Sequence, residues 1–175
     1  SIVDWNDRKS CILFGDGAGA VVISASSEGT ADVIGFDINS DGDYRDILYT
    51  NGGVTTTGTS GKLVMLGKEV FKHAIDKMGG SLNALLKKNG ISKEEIDWLV
   101  PHQANERIID SLANRLDFPQ EKIIKTVALH ANTSAASIPL ALDSALSAGT
   151  IKNGDLVAIT AIGGGLSWGS CIFRL

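Results

Sequence analysis

Cysteine is scarce in this chain of 175 residues: Cys11 and Cys171 each lie inside an apolar run with no CxxC or CxxH partner. That spacing argues against a metal cluster or a disulfide framework and reads as two reduced core thiols. Long apolar runs are missing as well. None approaches the roughly 20 residues a bilayer-spanning helix needs, and the opening SIVDWNDRKSC lacks the order of a secretory signal, so a soluble, cytoplasmic protein is expected. A basic excess is absent: 16 Lys+Arg against 20 Asp+Glu give a formal net charge of −4, which disfavours a nucleic-acid partner. There is no initiator Met, and a strand-like run already begins at Cys11, which suggests a piece of a longer chain.

What is present suffices for one core. With 43% hydrophobic and 21% charged residues, a chain of this length buries roughly two thirds of its unfolded surface, and one domain over 1–175 is the default. CILFGDGAGAVVISAS (11–26) reads as strand, glycine bend, strand. Gly15, Gly17 and Gly19 do not make a dinucleotide site, because AVVISAS follows where such a site requires a helix. The polar, Gly- and Thr-rich stretch 40–62 reads as loop or irregular hairpin. Gly53 and Gly58 there have phosphate-loop separation, but Thr59 stands in place of the lysine.

Helical periodicity is clearest from Leu66 to Leu86, with apolar residues at 66, 70, 74, 78, 82 and 85. Ser92-x-x-Glu95 has capping-box form ahead of a strand DWLVP, and Ile108, Ile109, Leu112, Ala113 and Leu116 line a second helix. KIIKTVAL (122–129) reads as a further strand. SAASIPLALDSALSAG reads as a third helix, with Pro139 tolerable only near its first turn and Gly149 as its C-terminal cap. LVAITAI and LSWGSCIFRL are closing strands around Gly163, Gly164 and Gly165. Alternating strands and helices define an α/β domain whose chemistry belongs at strand ends. His102, then His130 and Asn132, then the three glycines occupy those places.

Taken singly, a histidine at a strand end is more often a satisfied structural residue, and Asn before Thr and Ser is usually a cap. Taken together, an imidazole N–H and an amide N–H aimed at one point can stabilise an enolate or oxyanion without adding a formal charge, which suits thioester carbonyl chemistry.

The stretches WLVPHQANERII, HANTSAASIPLAL, IGGGLSWGS and FGDGAGAVV, in register over about Asp7 to Leu175, closely resemble the C-terminal half of the β-ketoacyl-acyl-carrier-protein synthase III family. The resemblance implies a thiolase-like α/β fold, this chain being the C-terminal half of a five-layer αβαβα architecture. It implies decarboxylative Claisen condensation of acetyl-CoA with malonyl-acyl carrier protein, without a metal or redox cofactor. By the same resemblance His102 and Asn132 bind the malonyl thioester carbonyl, and Gly164 offers its N–H to an oxyanion hole. Arg8, Gly67, Phe71, Ala104 and Asn105 line the coenzyme A and pantetheine path, although Phe71 also reads as plain helix core. Arg107, Gln103, Lys68 and Lys72 receive acyl carrier protein, although the lysines also read as solvated face. A homodimer is implied.

Several positions depart from the family's pattern. The nucleophilic cysteine belongs to an N-terminal half not included here, and neither Cys11 nor Cys171 opens a helix that would lower its pKa. The chain alone is therefore expected to be inactive. Ala131 replaces a common glycine, Lys68 a common small polar residue, and Ile162 a common aromatic, the last opening the acyl pocket to another primer. Two rival expectations remain: a condensing enzyme of secondary metabolism using another primer or malonyl-CoA, and a non-catalytic structural half.

Overall fold

The structure is a computed structural model that describes residues 2–25 and 32–175. Its centre is a four-stranded sheet of β1 (Asp32–Ser40), β4 (Trp98–Pro101), β5 (Leu156–Gly163) and β6 (Ser167–Arg174), in the order β1-β6-β5-β4. β6 runs antiparallel to both β1 and β5, while β4 is parallel to β5. A parallel pair needs a crossover, and here the chain between β4 and β5 supplies it with α2 (Glu106–Leu116), α3 (Val127–His130) and α4 (Ser137–Ser147). A separate antiparallel ribbon joins β2 (Leu48–Thr50) to β3 (Leu63–Met65), so the glycine-rich stretch is indeed a hairpin with a long tip.

The period-2 alternation of β5 divides the core. Leu156 and Ala158 face α1 (Gly67–Asn89) and α2 in the larger cluster, whereas Val157 and Ile159 face α4 in the smaller one. The apolar stripe of α1 is realised as expected, with Ala74, Met78, Leu82 and Leu85 at 1% exposure or less. The helix stops in a Schellman motif. Gly90 adopts φ 65° and donates to Lys87 O, and Ile91 N–H donates to Leu86 O at 3.0 Å. Lys77 ties the outer layer together, its Nζ 3.8 Å from the Trp168 ring centroid and 4.5 Å from that of Tyr44. No helix among the described residues is long and apolar enough to cross a membrane.

Three expectations are corrected. Residues 11–25 form no ladder beyond a single bridge from Phe14 to Asn132, and Val21, Val22 and Ile23 are 74%, 94% and 84% exposed. Their composition favours strands, but no partner strand lies beside them among the described residues. Ser26, the last residue of that expected strand, lies outside the described residues.

KIIKTVAL is not a strand either. Ile123 bridges Leu99 and Ile124 N–H donates to Leu99 O, after which the chain turns into α3. The side chain of Gln103 diverts it by taking up Ile124 O and the N–H groups of Thr126 and Val127.

The cysteines are not deep core thiols: both are half-buried, and Cys171 lines a cavity. An element absent from the sequence reading is β1, although Ile34, Phe36 and Ile38 do alternate in it.

Candidate active site

Parallel strands deliver functional side chains at their C-terminal ends, and the end of β4 holds His102. Its backbone N–H donates to Thr160 O at 2.8 Å on the neighbouring β5, which fixes where the imidazole leaves the sheet. Nδ1 lies 2.7 Å from the Ser137 hydroxyl at the start of α4. The residue is half-buried, and the desolvation of its ring pushes its pKa down to about 4, so the imidazole is neutral at physiological pH. His102 forms part of the wall of an open cavity of about 510 Å³, together with Ser134, Ile138, Ile159, Phe36 and Cys171.

Asn132 is 8% exposed and held on three sides. Its N–H donates to Leu13 O at 2.9 Å, its carbonyl accepts from Gly15 N–H at 3.0 Å, and its Oδ1 accepts from Ser134 N–H at 2.9 Å. With the carboxamide oxygen used internally, the NH₂ end is the one left to donate to a ligand. Asn132 itself is not in the cavity wall, but Ser134, two residues on, is. Ala131 before it adopts φ 59° and ψ −165°, and Ser134 also has positive φ at 54°. Such backbone is costly for residues with a Cβ and is concentrated at this turn. Thr126 Oγ1, His130 Nδ1 and Thr133 Oγ1 on the same segment are buried without a hydrogen-bond partner among the described residues.

Gly164 is exposed in the turn between β5 and β6, and a Cβ there would come within 2.9 Å of Leu48 O, so the close approach of the β2 ribbon requires glycine. The cavity wall includes its neighbour Gly163.

Gln103 was expected on the carrier-protein surface. Instead it is 1% exposed, and its side chain is saturated: Nε2 donates to Pro101 O and Ile124 O at 2.8 and 3.1 Å, while Oε1 accepts from Thr126 and Val127 N–H at 2.8 and 3.1 Å. It cannot meet a partner protein. What it does is tie the loop of His102 to the segment leading to Asn132.

The remaining candidates fall into two groups. Phe71 on α1 and Arg107 on α2 are brought together, with the guanidinium carbon 5.6 Å from the ring centroid. Gly67, Lys68 and Lys72 are exposed on the first turns of the same α1, and Ala104 packs half-buried against the larger core. Asn105 is committed locally, since its Oδ1 caps α2 by accepting from Ile108 N–H at 3.0 Å. Arg8 is apart, exposed in the N-terminal turn where Asp7 binds Lys9 N–H and Ser10. Ser137, unnoticed in the sequence, carries no signal there beyond its place in NTSAAS.

Residues 86–175 match the family model described as 3-oxoacyl-[acyl-carrier-protein (ACP)] synthase III C terminal, and residues 1–42 match that of 3-oxoacyl-[acyl-carrier-protein (ACP)] synthase III. A β-ketoacyl-[acyl-carrier-protein] synthase III of Wolbachia pipientis wMel is 57% identical over 99% of the chain and 54% of its own length. The crystal structure of the 3-oxoacyl-[acyl-carrier-protein] synthase III of Aquifex aeolicus VF5 superposes with a TM-score of 0.92 at 42% identity, over 99% of this chain and 54% of that one. The priming β-ketosynthase of the R1128 polyketide biosynthetic pathway gives 0.86 at 33%, over 99% and 53%.

A mixed sheet with helices on both faces, and polar residues gathered at its strand ends, is here the α/β architecture of thiolase-like condensing enzymes. The chain spans about half the length of the relatives it matches. It belongs to the 3-oxoacyl-[acyl-carrier-protein] synthase III family.

Proposed function

We propose that the chain is the C-terminal half of an acyltransferase that starts type II fatty-acid synthesis by condensing acetyl-CoA with malonyl-acyl carrier protein. The observation that carries this reading is the state of His102: a half-buried imidazole, kept neutral by desolvation, standing in a cavity wall at a strand end. A neutral N–H donor in a partly desolvated site stabilises a developing enolate oxygen. Decarboxylation breaks the bond between the malonyl carboxylate and the α-carbon. Its electron pair becomes the thioester enolate, whose oxygen accepts from His102 and Asn132, and CO₂ leaves.

The enolate carbon then attacks the acetyl carbonyl held on a cysteine of the N-terminal half. A carbon–carbon bond forms, the carbon–sulfur bond breaks, and the thiolate departs. The Gly164 N–H supports the oxyanion of acyl transfer. Arg8, Gly67, Phe71, Ala104 and Asn105 border the coenzyme A path. Arg107, with Lys68 and Lys72, offers positive charge to acyl carrier protein. The reaction as proposed needs no metal or redox cofactor, and the enzyme works as a cytoplasmic homodimer.

The N-terminal half has two places to dock. Among the described residues, the exposed, strand-like segment 20–25 has no pairing strand, and nothing covers the apolar sheet face carrying Phe36 and Ile38, 64% and 78% exposed, beside the cavity. The relatives' extra length is enough to supply both partners.

The test is His102→Ala in the chain completed by its N-terminal half. Loss of one oxyanion donor should slow malonyl decarboxylation by roughly 10²–10³-fold while acetyl transfer to cysteine stays near the parental rate. Decarboxylation at the parental rate would overturn the assignment.

A second reading is favoured by the likeness to the R1128 priming β-ketosynthase and by Ile162 in the cavity wall: a primer other than acetyl. Turnover of a series of acyl-CoA primers, with malonyl-CoA and malonyl-acyl carrier protein as donors, separates the two.

A further inference from the structure

Ser137 opens α4 at 2% exposure, and its hydroxyl oxygen has two neighbours: His102 Nδ1 at 2.7 Å and the backbone nitrogen of Gln103 at 3.2 Å. The Gln103 amide can only donate, so the hydroxyl oxygen is its acceptor, and the hydroxyl has one proton of its own to place. Among the described residues, the acceptor within hydrogen-bond distance is His102 Nδ1. The reverse arrangement, with the proton on Nδ1, would aim two donors at one oxygen and leave a buried O–H without an acceptor, which is the costlier state. A neutral imidazole that accepts at Nδ1 carries its proton on Nε2.

We propose that Ser137 is a positioning residue whose hydroxyl, itself oriented by the Gln103 amide, donates to His102 Nδ1 and thereby fixes the Nε2–H tautomer that offers a neutral donor to the cavity. The four hydrogen bonds that hold the Gln103 side chain keep this relay in place. The tautomer stands on geometry alone, and its use rests on the condensing-enzyme reading. With the proton on Nδ1, the Nε2 lone pair would face the enolate oxygen and repel it, so one of the two donors would be lost.

The experiment is two-bond ¹H–¹⁵N correlation of the imidazoles in the ¹⁵N-histidine-labelled full-length enzyme, the His102 signals being assigned by their loss in His102→Gln. In the parent, between pH 6 and 8, His102 should show a protonated Nε2 and an unprotonated Nδ1. Ser137→Ala should populate the Nδ1–H form, and Ser137→Thr, which keeps the hydroxyl, should return the parental pattern. In the same variants, Ser137→Ala should lower kcat for malonyl decarboxylation roughly tenfold, less than outright loss of a donor, with KM and acetyl transfer little changed. The threonine variant should recover most of that loss.

A parental enzyme with Nδ1 protonated overturns the proposal without any variant having to fold. An unchanged tautomer in a folded Ser137→Ala enzyme overturns it as well. If the expected tautomers are seen but the parent decarboxylates no malonyl thioester, the positioning role of Ser137 stands and the condensing-enzyme reading fails.

Discussion

The carboxamide oxygen of Gln103 accepts the backbone N–H of Thr126 at 2.8 Å, and through that bond the loop after β4 is fastened to the segment that carries Asn132. Every hydrogen-bonding position of the Gln103 side chain is filled by backbone. Gln103→Ala would therefore strand up to four buried peptide groups, each costing about 1–3 kcal/mol when left unmatched. With partial relief by water, a net loss of about 3 kcal/mol is expected, read as a lower urea midpoint with an unchanged slope. A variant within 0.5 kcal/mol of the parent, on the order of an ordinary surface substitution, would show that the segment does not depend on this residue.

Ala131 carries a different kind of cost. At φ 59° and ψ −165° its backbone lies where glycine is at ease and a Cβ is not. Strain of this type is worth about 1–3 kcal/mol, partly offset in a glycine variant by the extra freedom of the unfolded chain. Ala131→Gly should stabilise the protein by about 1 kcal/mol in equilibrium denaturation. Ala131→Val should destabilise it, because branching worsens the same clash. Equal stability of all three would mean that the turn relaxes freely.

The contrast between these two residues shows what a sequence conveys. α1 and α2 were legible because an apolar stripe at helical spacing has few other uses, and Met78, Leu82, Ile109 and Leu112 are buried as that stripe requires. The closing strands were legible from β-rich composition flanking the glycine run. Residues 122–129 misled because their composition is strand-like while a single glutamine, distant in sequence, captures their peptide groups.

Segment 11–25 misled differently: it has strand composition, but pairing depends on a neighbour that the described residues do not include. β1 was overlooked because the residues that alternate with Ile34, Phe36 and Ile38 are Gly35, Asp37 and Asn39, all poor strand formers. His102 could be singled out by its place after DWLVP. Nothing local distinguished Gln103 as buried or Ser137 as its neighbour, since both depend on how distant segments meet.

Acid should expose the burial of His102 directly. The native imidazole resists protonation down to about pH 4, whereas in the unfolded chain it takes up a proton near the ordinary 6.5. Between those values the unfolded state binds more protons, so stability falls as pH is lowered through this window and is fully present above it. The whole effect amounts to about 3 kcal/mol. His102→Gln removes this component, so its unfolding free energy should change less between pH 7 and pH 4.5 than that of the parent. Contributions common to both proteins cancel in the difference. Parallel pH profiles would contradict a desolvated, neutral imidazole.

Arg107 is exposed with its guanidinium over the Phe71 ring, and Lys68 and Lys72 lie on the same α1 as that ring. Charge presented on a rigid aromatic support favours encounter with an acidic partner, and rim charges of this kind act mainly on the association rate. In the full-length enzyme, Arg107→Glu should raise KM for malonyl-acyl carrier protein by roughly tenfold at low salt, equivalent to about 1.4 kcal/mol, with kcat less affected. The gap between variant and parent should narrow toward 0.5 M salt as the exposed charges are screened. Turnover of malonyl-CoA, which presents no helical acidic surface, should change little. A comparable loss with both donors would instead assign Arg107 to the coenzyme A path proposed to run past Phe71, and a loss insensitive to salt would remove the electrostatic account altogether.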